Sequence, residues 1–120
     1  MPTSKNSIFR SLTRFTRTEI SNFFRSVNFV YQSTDLKFIF APKQDDFSKI
    51  LVIASKKYGN APKRNKFKRR LKNIFFNKKY YELNSDIAIK PLNKKTSSYH
   101  DLENQIDIAI KKFLKLKGTA

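Results

Sequence analysis

Apolar positions along the chain change their period several times, and each change marks an element. After an arm, residues 1 to 15, that sets Phe9, Leu12 and Phe15 among cations, Ile20, Phe23, Phe24 and Val27 recur at helical spacing. Thr16 and Glu19, three residues apart at the head of that run, form the pattern of a capping box, so a short amphipathic helix near 17–26 is expected. "VNFVYQS" and "LKFIFAP" are rich in β-branched and aromatic residues and are split by Thr34 and Asp35, which predicts a tight hairpin. "PKQDDFS" reads as a polar loop, and the nearly continuous apolar run in "KILVIASKK" as a buried strand.

The period then returns to that of a helix. Gly59 and Asn60 form a turn, and Pro62 suits a first helical position because its φ is preset and it has no amide to leave unpaired. Phe67, Leu71, Ile74 and Phe75 follow as one stripe. "SDIAIKP" predicts a further strand closed by Pro91. Ser98 and Asp101 cap a last helix with Leu102, Ile106, Ile110 and Phe113 on one face. The order α-β-β-β-α-β-α predicts an α+β sandwich: a basic arm over 1–15, one domain over 16–116 and a tail over 117–120.

Charge changes the picture more than composition does. A formal +17 on 120 residues is self-repulsive and calls for a polyanionic partner. Between Asp46 and Glu82 twelve lysines and arginines occur without one acid. On a wheel of about 100° per residue, Arg64, Lys68 and Lys72 line one shoulder of the apolar stripe. Asn65 and Arg69 point away from the core, and Lys66 and Arg70 take the other shoulder. Such a helix can engage a phosphate backbone through counterion release. RNA is favoured over DNA. Aromatics on the adjoining strands (Phe29, Tyr31, Phe38, Phe40) suit stacking of unpaired bases, although many of them must be core.

Catalytic equipment is missing. His100 is the only histidine, Asp45 and Asp46 sit in a loop without a companion, and two glycines cannot build a phosphate loop. Cysteine is absent, which removes thiolate chemistry and suits a reducing, cytoplasmic setting. No apolar run is long enough to span a membrane. Any hydrolysis the chain takes part in must borrow its chemistry from elsewhere.

Taken together, "SKKYGNAPKRNKFKRRLKNIFF" closely resembles the signature of the bacterial ribonuclease P protein component. That signature is a strand ending in Ser-Lys-Lys, then Gly-Asn-Ala, then an Arg-Asn-Arg helix followed by Lys-Arg. Here these are Ser55, Lys56, Lys57, Gly59, Asn60, Ala61, Arg64, Asn65, Lys66, Lys68 and Arg69. "FFRS" and "SDIAIKP" resemble the end of the family's first helix and its fourth strand.

The resemblance implies a sandwich like domain 2 of ribosomal protein S5, with a left-handed β-α-β crossover around the basic helix. It implies an accessory subunit of a tRNA-processing endoribonuclease. The catalytic RNA, with magnesium ions, would remove the 5′ leader of precursor tRNA, and the protein alone would cleave nothing. By position, Arg64, Asn65, Lys66, Lys68, Arg69 and Lys72 would bind the catalytic RNA. Phe24, Phe38 and Lys57 would bind the single-stranded leader. Three departures stand out: Lys66 in place of the second arginine, Ile20 in place of an aromatic, and Ser26 and Val27 where a glycine usually ends the first helix. Two other readings compete: a small structural ribosomal RNA-binding protein, and a cationic membrane-surface protein whose Phe67–Phe75 stripe would face lipid.

Overall fold

The computed structural model describes residues 13–116; residues 1–12 of the expected arm and the tail 117–120 lie outside them. The elements run α1 (Arg17–Arg25), β1 (Phe29–Gln32), β2 (Leu36–Pro42), β3 (Ile50–Val52), α2 (Ala61–Asn77), a single 3₁₀ turn (Tyr80–Glu82), β4 (Ser85–Pro91) and α3 (Tyr99–Leu116). This is the expected order, and β2 and β4 coincide with the runs "LKFIFAP" and "SDIAIKP".

The capping residues set the helix starts. Thr16 N–H donates to Glu19 Oε1 at 2.8 Å and Glu19 N–H to Thr16 Oγ1 at 3.1 Å, closing the capping box of α1. At α2 the cap is Asn60, whose side-chain oxygen accepts from Lys63 N–H at 3.0 Å, so Ala61 opens the helix and Pro62 takes its second position. At α3 half of the expected box forms. Ser98 Oγ accepts from Asp101 N–H, whereas the Asp101 carboxylate accepts from Gln105. The missing glycine after α1 has a local explanation: Ser26 ends the helix at φ −107°, where any residue fits.

The four strands form one sheet in the order β1-β2-β4-β3. β1, β2 and β4 are antiparallel, and β3 and β4 are parallel neighbours joined through α2. Strand alternation divides the side chains between two faces. Leu36, Phe38, Phe40, Ile50, Val52, Ile87 and Ile89 point to the face that α2 and α3 cover. There Phe40 stacks on Phe113 with ring centroids 4.5 Å apart. Phe67, Leu71, Ile74 and Phe75 are all buried in this core, so the α2 stripe faces the sheet and is not offered to lipid. The opposite face carries Ile39, Ala41 and Ala88, and only part of it is covered, by Phe23 of α1 and by Val27 just after that helix. The uncovered remainder is where a site can form.

Lys49 ties α1 to the sheet from beneath. Its ammonium is buried, bonds Glu19 Oε2 at 2.9 Å and the Arg14 carbonyl at 2.6 Å, and lies 4.6 Å from the centre of the Phe15 ring. Beside it Asp86 is fully buried; its Oδ1 accepts from Lys49 N–H at 2.8 Å and its Oδ2 has no partner among the described residues.

Candidate nucleic-acid interface

Burial of four side chains along one line of α2 forces its remaining positions outward, and most of those are basic. Asn65, Lys66 and Arg69 are exposed, and Arg64, Lys68 and Lys72 are half-buried along one shoulder, as the wheel predicts. Among the described residues, the basic side chains that meet a carboxylate within salt-bridge distance are those of Lys49, Lys95, Lys111 and the neutral-or-charged His100, none of them on α2. The first turn of α2 holds no acid either, so the positive end of the helix dipole and its cations add. Burial, and then the neighbouring Lys68 ammonium, hold Lys72 below the usual lysine range. An anion laid along this shoulder would reverse the second effect and offset the first.

On the uncovered sheet face a trough runs from α1 to the turn before α2. One compartment, of about 370 Å³, has Phe24, Val30, Ile39 and Ile53 as an apolar lining and Lys37 and Lys90 at its rim. It adjoins a second of about 570 Å³, which shares Ile53 and Lys90 and is closed by Lys57, Tyr58, Leu92 and Lys94. Phe24 is 44% exposed, and Val30 is equally so. An apolar floor with an ammonium rim suits flat bases whose phosphates need cations.

Two of the three expected leader contacts, Phe24 and Lys57, line this trough. The third does not. Phe38 is 0% exposed and belongs to the core under α2 and α3, so it cannot offer a ring to a strand lying on the other face. Its neighbours Lys37 and Ile39 point into the trough instead, one residue away in a period of two. Sequence reasoning also passed over Val30 and Lys90. A usable signal was there: Leu36, Phe38 and Phe40 share one parity and Lys37 has the other, and the parity that carries a lysine is the one that meets solvent.

Comparison with known proteins settles what kind of chain this is. A family model described as Ribonuclease P matches residues 9–114. The chain belongs to the ribonuclease P protein family. A relative, the ribonuclease P protein component of Petrotoga mobilis, is 35% identical over 74 residues, which cover 57% of this chain and 63% of the relative. The chain thus spans just under two thirds of that relative's length.

Among solved structures, the RNase P protein of Staphylococcus aureus superposes with a TM-score of 0.71 at 19% identity, covering 83% of this chain and 93% of that one. The RNase P protein of Thermotoga maritima, in complex with 1-(4-fluorophenyl)-2-thiourea, gives 0.71 at 22% identity over 82% and 97%. At these identities the likeness establishes a shared fold. Among the described residues no group of three or more histidines and carboxylates is close enough to hold a metal. No described helix is long and apolar enough to cross a membrane.

Proposed function

We propose that this chain is the protein subunit of ribonuclease P and assists a catalytic RNA in removing the 5′ leader from precursor tRNA. The RNA, with magnesium ions bound to it, carries the hydrolysis. The chain contributes binding. Arg64, Asn65, Lys66, Lys68, Arg69 and Lys72 grip the catalytic RNA through its phosphates. The trough takes the single-stranded leader, with Phe24 and Ile39 beneath the bases and Lys37, Lys57 and Lys90 toward the backbone. The observation that carries this reading is the union of an uncompensated cationic helix with a half-apolar trough that ends at Lys57 and Tyr58, in the turn just before it. A structural ribosomal protein needs the first of these and has no use for the second.

The direct test is affinity for the RNA–precursor complex, measured with substrates that have or lack a 5′ extension. The extension should tighten binding by the intact chain. Base stacking on an aromatic contributes roughly 1–3 kcal/mol, so Phe24→Ala should remove about tenfold of that gain and leave affinity for the leaderless substrate unchanged. A chain that binds both substrates alike, with or without Phe24, contradicts the leader assignment.

A further inference from the structure

Three side chains, from the turn before α2, its first turn and its middle, reach a single stretch of backbone. Tyr58 Oη donates to the Lys95 carbonyl at 3.1 Å, Lys63 Nζ donates to the Lys94 carbonyl, and Arg70 Nη1 donates to the Ser97 carbonyl at 2.7 Å. The three donors come from one side, and the three acceptors fall within four residues of the link between β4 and α3. The same link is held from its other side by the hairpin turn. Asp35 accepts from Asn93 Nδ2 at 3.0 Å and from Lys95 Nζ at 3.3 Å, and its carbonyl accepts from Leu92 N–H. Leu92, Asn93 and Lys94 form a wall of the larger compartment of the trough.

The donors also support one another. Lys63 reaches across the Tyr58 ring, with its ammonium 4.6 Å from the ring centre, and the ring packs on Phe67 with centroids 4.9 Å apart. Its stem crosses Gly59 so closely that a Cβ there would lie 2.5 Å from Lys63 Cδ. Only a residue without a side chain lets Lys63 take this path. Arg70 stands near the Tyr58 hydroxyl, and burial raises the pKa of that hydroxyl, so it remains a donor.

We propose that Tyr58, Lys63 and Arg70 are positioning residues, a clasp that holds residues 94–97 against the basic helix and so fixes the far wall of the trough. The helix's cations then divide by task. Arg64, Lys66, Lys68 and Arg69 face the RNA, whereas Lys63 and Arg70 spend their donors on the chain itself. The functional half of this inference rests on the leader-binding reading above; the structural half does not.

Hydrogen exchange of the free protein reads the structural half without any RNA. Tyr58→Phe keeps the ring and deletes one donor, Arg70→Gln shortens another, and Gly59→Ala displaces Lys63. Each should speed exchange of the amides between Asn93 and Ser98 by about tenfold, the loss expected for one hydrogen bond, while amides in β2 and β4 stay protected. In RNA binding, Arg70→Gln should leave the salt dependence unchanged and reduce the gain from a 5′ extension about fivefold. Lys66→Gln should do the opposite, with no change in exchange.

Unchanged exchange in both Tyr58→Phe and Arg70→Gln, with Arg70→Gln lowering the salt dependence as Lys66→Gln does, overturns the clasp and makes Arg70 a phosphate ligand. If the intact chain gains nothing from a 5′ extension, the leader reading falls, and the exchange data still judge the clasp.

Discussion

Single residues carry the electrostatic side of this molecule, and two of them give opposite lessons about burial. Lys66 is exposed and meets no described carboxylate, so removing its charge disturbs little of the fold. Lys66→Gln should therefore change stability by less than about 0.5 kcal/mol. It should lower the slope of log affinity against log salt by roughly 0.7–0.9, read from RNA titrations at several salt concentrations.

Asp86 is the reverse case. Burial pushes its carboxyl up to about 6, an effect that the Lys49 and Gln44 amides and the Lys49 ammonium offset only in part. Because the folded chain holds that proton more tightly than the unfolded chain, with its ordinary 3.8, stability falls as pH rises from about 4 to about 6 and then levels. Glu19 acts in the other direction. The Thr16 amide and Lys49 hold its carboxyl below the usual range, and the stability it contributes is lost as pH falls below the ordinary 4.5. Asp86→Asn should remove the decline between pH 4 and 6, on the order of 2–3 kcal/mol, in urea unfolding followed at both pH values. An unchanged decline would place its source elsewhere.

At the scale of elements, most of the fold was legible because each helix announces itself twice, by a cap and by a stripe. Thr16 with Glu19, Asn60 before Pro62, and Ser98 with Asp101 mark starts, and the apolar residues that follow them are the ones the sheet buries. The site was legible on α2 for the same reason: a helix with one buried line must expose its other residues. It was not legible on β2. "LKFIFAP" is buried on both faces of the sheet at most positions, so the run reads as core throughout, and an aromatic looks like a ligand contact whichever way it points. On β2 Lys37 was the only polar marker of the open face, too little to correct the family resemblance that put Phe38 where Ile39 stands.

The packing of α2 makes a prediction of its own. Leu71 is fully buried between the cationic shoulders, and Leu71→Ala should cost roughly 2–5 kcal/mol in urea unfolding. The salt slope of the protein that remains folded should stay unchanged, since no phosphate ligand is lost. A reduced slope at full stability would mean that the helix is seated by something other than this stripe.

For the whole molecule, two surfaces meet across the turn before α2: a helix whose charge no described carboxylate balances, and a trough able to take an unpaired strand. A net charge of +17 is then a property of half an assembly. The most direct measurement is reconstitution with a bacterial ribonuclease P RNA at low magnesium, following release of the 5′ leader from precursor tRNA. The account predicts no cleavage by the protein alone, none or little by the RNA alone, and efficient leader removal when both are present. Cleavage by the purified chain without RNA, or an RNA whose activity the chain leaves unchanged, would contradict it.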